Sequence, residues 1–488
     1  MPDYPSLYEI NTRVMLNELS SKLGRQATLD DFPDSELERL AKAGFKWIWL
    51  LGVWQTGEAS RQVSRQIPEL RAAYRAALPD VQDEDICGSC FAITGYTVPK
   101  KLGGELALAR LRERMARCGL RLMLDFVPNH VALDHPWVGE HPEYFIHGTV
   151  EELQKQPGAY YAISSGAIQS IFAHGRDPYF PAWTDTLQLN YAEPALWQAM
   201  QQELVSIAER SDGVRCDMAM LILPEVFQRT WGLEMAPFWP EALRAARQAN
   251  PQFVSMAEVY WDMEWALQQQ GFSYTYDKRL YDRLRDEHAP QVRAHLQADM
   301  DYQEHMARFL ENHDEPRAAA TFSFPQHQAA AIVTYLTPGL RFFHEGQFEG
   351  RPKFLPVHLC RRPAHRPERG IRAFYNRLLK TLHSPVVRQG RWELLECWPA
   401  WEENWSWENF IGFAWHGLRG ELWVGVINYG PRPAQCYLQL PFPNLGGRTL
   451  IFKDRLSTAQ YERQGDDLLA RGLYLDLPAW GYHLFQVK

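Results

Sequence analysis

No run of apolar residues in this 488-residue chain approaches the roughly 20 that a membrane-crossing helix needs, which argues against a bilayer partner. Cysteine is scarce. The seven residues, Cys87, Cys90, Cys118, Cys216, Cys360, Cys397 and Cys436, are an odd number spread thinly, poor material for a disulfide framework and a better fit to a reducing compartment. Cys87-Gly88-Ser89-Cys90 has no second such pair and no histidine pair at metal-ligand spacing, so it reads as a loop with two free thiols. No stripe of Lys and Arg interrupts a net charge of -8, which excludes an electrostatic footprint for nucleic acid. There is no repeat and no low-complexity tract. The opening residues, Met1-Pro2-Asp3-Tyr4-Pro5, have neither the basic nor the apolar region of a secretory leader, so a soluble, cytoplasmic protein is expected.

The chain does have enough apolar residues, 46%, for a core larger than one domain usually organises, and two or three domains are expected. Short apolar runs alternate with segments of helical periodicity over the first three quarters, the pattern of a parallel α/β sheet. Eight candidate strands are Ser6–Val14, Phe45–Val53, Leu120–Val127, Gly213–Ala219, Gln252–Val259, Phe272–Asp277, Ala307–Asn312 and Leu340–Gly346. Helical periodicity covers Asp34–Ala43, Glu105–Cys118, Pro194–Arg210 and Pro240–Gln248. Eight such units close a (β/α)8 TIM barrel, assigned to residues 1–130 and 193–390. The interval 131–192, rich in His, Pro, Tyr and Gly, is too long for one helix and reads as an inserted subdomain after strand three. A second insertion, 55–94, follows strand two and opens with a charged, potentially helical segment. From 391 to 488 short alternating apolar segments such as Phe410–Trp415, Leu422–Asn428 and Gln435–Leu440 predict a C-terminal antiparallel β-sandwich.

Polar residues cluster where four of the barrel strands end, the face on which barrel enzymes build their sites. These ends read Leu124-Asp125-Phe126-Val127-Pro128-Asn129-His130, Val214-Arg215-Cys216-Asp217-Met218-Ala219, Met256-Ala257-Glu258-Val259, and Glu311-Asn312-His313-Asp314-Glu315-Pro316-Arg317. Taken one at a time, a carboxylate at a strand end is more often a cap or an ion-pair partner, and a histidine there more often packs. As an ordered set, the four segments resemble the four short motifs of the α-amylase superfamily, glycoside hydrolase family thirteen. Leu187-Gln188-Leu189-Asn190 resembles a further motif near the end of the inserted segment, and Thr94-Gly95-Tyr96 a loop whose tyrosine floors the sugar subsite.

The resemblance implies a retaining glycosidase acting on α-linked glucosides or malto-oligosaccharides, with Asp217 as nucleophile, Glu258 as general acid/base and Asp314 as the third carboxylate. Retention needs an attacking carboxylate and a proton-donating carboxyl roughly 5 Å apart. By the same resemblance Arg215 orients Asp217, His130 and His313 donate to sugar hydroxyls, Tyr96 stacks on the reacting ring, and Arg317 grips a terminal sugar. No cofactor is required, although a structural calcium is an open expectation at Asn129, beside a hydrogen-bonding role for that amide. The set departs from starch-degrading relatives at Met218-Ala219-Met220-Leu221, where Lys and His of neighbouring acceptor subsites are missing; the apolar replacements either pack or shape a different acceptor site. Transglycosylases and glycoside phosphorylases share every catalytic residue and stay open as alternatives, with a catalytically silent carbohydrate-binding relative as the third. The partner is a small glycoside or oligosaccharide; oligomeric state is unspecified.

Overall fold

The computed structural model describes residues 3–165 and 168–488. Eight parallel strands, β1 Ser6–Asn11, β2 Phe45–Leu51, β3 Arg121–Phe126, β4 Gly213–Cys216, β5 Val254–Ala257, β6 Tyr274–Tyr276, β7 Met306–Arg308 and β8 Leu340–His344, close a barrel in which every strand pairs with its sequence neighbour and β8 with β1. Helices lie between them at the expected places, including Asp34–Lys42, Gly104–Arg117, Pro194–Arg210 and Trp239–Ala249.

The strands are shorter than the apolar runs suggest, and each early stop places a functional residue. β1 ends at Asn11 because its side chain caps the next helix, Thr12–Leu23, accepting from the Val14 amide at 3.2 Å. β4 ends at Cys216 because Met218 turns into the left-handed region at φ 42°. The ladder continues past that end through single bonds: Asp217 N–H donates to the Phe126 carbonyl at 2.8 Å, and Glu258 N–H to that of Cys216 at 3.0 Å. Asp217 and Glu258 are thus pinned as neighbours on the C-terminal rim.

Interior aromatics fill the upper barrel: Phe342 lies 5.6 Å from Trp49, 5.7 Å from Tyr276 and 5.5 Å from Phe309 between ring centroids. Among the described residues of the segment after β3, His130–Ala132 pairs antiparallel with Thr186–Gln188 and Tyr160–Ser165 with Ile168–Ala173, and short helices form at Trp137–Glu140 and Val150–Lys155. After β2, Gln55–Thr56 pairs with Ile93–Gly95 around helices Glu58–Gln66 and Pro68–Ala77, so the charged segment is helical.

The C-terminal region is antiparallel: a six-stranded sheet (391–395, 410–416, 422–428, 482–487, 449–454, 460–464 in spatial order) and a three-stranded one (397–398, 434–438, 473–477) share a core of Phe410, Val424, Leu438, Phe452 and Leu475. The strands Phe410–His416 and Leu422–Asn428 are buried nearly throughout rather than alternately, because their other face seals the barrel; Trp415 Nε1 donates to the Leu336 carbonyl at 2.8 Å. Among the described residues no helix is long and apolar enough to cross a membrane.

Candidate active site

Arg215 organises the rim. Wholly buried, it lies with its guanidinium carbon 5.3 Å from the Trp49 ring centroid and 5.0 Å from that of Phe91. Its Nη1 donates to Asp217 Oδ1 at 2.7 Å, its Nη2 to Glu258 Oε2 at 2.6 Å, and its Nε to the Tyr276 hydroxyl at 3.3 Å. One planar cation therefore holds two carboxylates side by side. Glu258 Oε2 also accepts from the Met218 amide at 2.7 Å, a bond made available by the left-handed turn at that residue, and Oε1 accepts from the Tyr260 hydroxyl at 2.7 Å.

Asp217 Oδ2 has no hydrogen-bond partner among the described residues. Asp314 turns 43% of its side chain to solvent, whereas the side chains of Asp217 and Glu258 are at most 6% exposed. His313 bridges two acids: Nδ1 lies 2.5 Å from Glu9 Oε1 on β1, and Nε2 lies 2.9 Å from Asp314 Oδ2.

The electrostatics follow from several acids around one arginine. Burial pushes Glu258 up to about 7; Arg215 opposes the rise, and the charges of Asp217 and Asp314 add to it. Burial also raises Asp217, again against Arg215. Burial alone would depress His313, but Asp314 and Glu9 more than offset it and hold the ring protonated well above the usual histidine range. Asp314 is in turn lowered: burial opposes this, but His313 beside it prevails.

Two residues expected in the sugar subsite are placed otherwise. Tyr96 is buried, its hydroxyl donating to the Val127 carbonyl at 3.0 Å and accepting from the Val127 amide at 2.9 Å, with its ring 5.7 Å from Trp54 and 5.6 Å from Phe126. It wedges the end of β3 through these two hydrogen bonds. The half-buried aromatic beside the carboxylates is Phe91, 5.5 Å from the His313 ring and over Arg215, and the sequence reading missed it because the Gly-Tyr pair drew attention five residues downstream. Arg317 is likewise committed to the protein: Nη1 donates to His344 Nδ1 at 2.7 Å, Nη2 to the Glu345 carbonyl at 2.7 Å, and Nη2 lies 2.8 Å from Glu311 Oε1. It ties the β7 and β8 loops together, leaving little to grip a sugar.

His130 is buried against Trp183, 5.1 Å between centroids, and burial pushes it down to about 3, so it is a neutral ring on the strand pair beyond β3. Asn129 forms a reciprocal amide pair with Gln188, Nδ2 to Oε1 at 3.2 Å and Nε2 to Oδ1 at 3.0 Å. A calcium site needs oxygen donors with negative charge, and here an amide takes the facing position; among the described residues no group of three or more His, Cys, Asp or Glu side chains is arranged to hold a metal. The Asn129 amide oxygen is engaged by Gln188. Met220 and Leu221 are buried in a helical turn held by Trp239 Nε1 on the Ala219 carbonyl at 3.0 Å, so these replacements pack, and only Met218 of the group borders the cleft by Glu258. Glu9, Tyr260 and Asp125 complete the list of residues the sequence reading left unassigned. Asp125 accepts from Trp49 Nε1 and the Gly52 amide, both at 2.9 Å, and so braces β2 against β3 beneath the site.

Comparison with known proteins agrees with this geometry. A 267-residue stretch is 27% identical to the α-1,4-glucan:maltose-1-phosphate maltosyltransferase of Salinibacter ruber, covering 51% of this chain and 34% of that one. A stretch of the same length is 22% identical to α-amylase 3 of Dictyoglomus thermophilum, covering 50% of each. The matches thus span half or less of these curated relatives. The fold is that of a maltogenic α-amylase from Thermotoga neapolitana, with a TM-score of 0.68 at 18% identity over 99% of this chain and 98% of that one. The family description "Alpha amylase, catalytic domain" matches residues 36–355, and the chain belongs to the α-amylase family.

Proposed function

We propose that this protein is a retaining enzyme acting on α-linked glucosides or malto-oligosaccharides by double displacement, with Asp217 forming a glycosyl ester and Glu258 serving first as acid and then as base. The observation that carries the reading is the Arg215 guanidinium shared between Asp217 and Glu258. That two carboxyl groups share one guanidinium supports the close spacing that retention needs. Burial raises Asp217 and Arg215 opposes that rise, while the raised pKa of Glu258 keeps a proton available for the departing oxygen near neutrality. Asp314, opening into the cleft and held ionised by His313, is positioned to accept from sugar hydroxyls as positive charge develops on the ring. Turnover of natural glycosides is expected to decline as pH rises past about 7 and Glu258 loses its proton.

Water or another acceptor can resolve the ester. The maltosyltransferase relative favours transfer as the second reading, and products formed with and without added sugar or phosphate separate the two.

The acid/base role is tested with Glu258→Gln. Cleavage of natural α-glycosides is expected to slow by about two to four orders of magnitude, while the first step on an activated aryl glycoside slows far less. Azide, which needs no base, is expected to rescue the second step and give an α-glycosyl azide. Equal loss on both substrates with no azide rescue removes Glu258 from the role. The alternatives in the loop after β7 are poorly placed: Glu311 Oε2 already accepts from the Ala318 amide at 2.7 Å, and Glu315 lies 3.3 Å from Lys278.

A further inference from the structure

The expectation for Cys87-Gly88-Ser89-Cys90 was two unremarked thiols, and for Cys90 that holds: it is buried against Gly52, and burial raises its pKa. Cys87 is different. Its sulfur accepts from Arg13 Nη1 at 3.2 Å, and Arg13 further donates to the Gly88 carbonyl at 2.7 Å and to Thr56 Oγ1 at 3.1 Å. No carboxylate lies within ion-pair distance of Arg13 among the described residues, and the Cys87 S–H is directed at the His358 carbonyl at 3.1 Å, so loss of that proton would give this guanidinium its counter-charge.

The second sulfur comes from far along the chain. Ile86 and Leu359 form an antiparallel bridge, with Cys87 N–H donating to the His358 carbonyl at 2.8 Å and Cys360 N–H to that of Asp85 at 2.9 Å. Ile86 and Leu359 turn into a small apolar cluster with Tyr74 and Leu78. Alternation then sends Cys87 and Cys360 to the opposite face, as diagonal neighbours that line one cavity of about 270 Å³ with Arg13, Asn17 and Lys101. Both cysteines are partly exposed and unbridged.

We propose that Cys87 and Cys360 are a redox dithiol in which Cys87, paired with Arg13, is the attacking sulfur, and that closing it to a disulfide shifts Phe91 and thereby lowers turnover. The neighbouring Cys360 thiol lowers the Cys87 pKa to about 5, burial opposes, and Arg13 lowers it further; Cys360 is correspondingly raised. Cys87 attacks one sulfur of a small-molecule disulfide such as oxidised glutathione, whose S–S bond breaks and releases one thiol. Cys360, its proton lost to solvent, then attacks the Cys87 sulfur of the mixed disulfide and expels the second thiol. Two protein thiols are oxidised and the reagent is reduced to two thiols. A diagonal pair must draw closer to reach disulfide geometry. That movement acts on the turn at Gly88, φ +79°, three residues after which Phe91 packs over Arg215 and against His313.

The coupling to turnover rests on the reading of the carboxylates, but the thiol chemistry does not, so each can fail separately. The full chain is titrated with oxidised glutathione, followed by peptide mass mapping and assay, with Cys360→Ser and Arg13→Gln in parallel. The expected result is a Cys87–Cys360 linked peptide, a several-fold fall in turnover reversed by dithiothreitol, a stable mixed disulfide on Cys87 without that fall in Cys360→Ser, and slower iodoacetamide labelling of Cys87 in Arg13→Gln. Absence of the linked peptide overturns the dithiol, as does a Cys87 labelling rate indifferent to Arg13. A linked peptide with unchanged turnover overturns the coupling.

Discussion

Two buried arginines stand on the same rim of the barrel, each beside a glutamate, and they do opposite things. Around Arg317 the charges balance: one guanidinium, one carboxylate in Glu311, and His344, which burial and then Arg317 push down to about 3 and so keep neutral. Glu311 spends one oxygen on the Ala318 amide and sets the other against Arg317. Around Arg215 they do not balance. Asp217, Glu258, Asp314 and Asp125 all act on a single guanidinium or on one another, and one oxygen of Asp217 is left without a partner among the described residues. A charge-balanced cluster fixes loops; on the proposed reading, an overloaded one has a proton to give and an oxygen to attack with. Both guanidiniums are buried, so the difference is charge count.

The contrast breaks most visibly at Asp217. Asp217→Asn is expected to cost several powers of ten in turnover with an unchanged circular dichroism spectrum, because the amide cannot form a glycosyl ester. Near-normal turnover would erase the distinction between the clusters. Glu311→Ala should do the reverse. Leaving Arg317 buried without its counter-ion is expected to cost about 3–5 kcal/mol by chemical denaturation, while kcat of the protein that remains folded changes little. A loss of kcat at constant stability would make Glu311 part of the machinery. The smallest effects concern the aromatics. Phe91→Ala is expected to raise KM by about 3- to 10-fold through loss of an apolar platform, whereas Tyr96→Phe, which strands the buried Val127 amide and carbonyl, should cost about 1–3 kcal/mol of stability with KM unmoved.

The sequence revealed the barrel because each strand is a short, fully buried run whose partners are its neighbours in order. It revealed Asp217, Glu258 and Asp314 as candidates through the resemblance of their segments, as an ordered set, to the family motifs; Asp217 and Glu258 directly follow β4 and β5, whereas Asp314 lies six residues beyond β7. Strand ends were overdrawn, since apolar residues continue past the point where Asn11 caps a helix or Met218 turns left-handed. The surroundings of Tyr96 and Phe91 are not legible in the sequence, because neither ring belongs to a periodic run, and only the fold shows that the Tyr96 hydroxyl is engaged with Val127. Glu9 was legible in retrospect: a carboxylate inside Ser6–Asn11 has no reason to be wholly buried unless something across the barrel, here His313, meets it. Cys360 as the partner of Cys87 was not legible, being 273 residues away by subtraction of their numbers and brought close only by an isolated bridge.

The central claim is that the overloaded arginine presents Asp217 as a nucleophile. The direct measurement is intact-protein and peptide mass spectrometry after reaction with an activated α-glycoside, such as a 5-fluoro-α-glycosyl fluoride, that forms the ester faster than it is released. The account expects one glycosyl unit per chain, on the peptide carrying Asp217, with proton NMR of early products from an ordinary substrate showing the α-anomer. An unlabelled Asp217 peptide together with a first-formed β-anomer would mean single displacement by water and would contradict it.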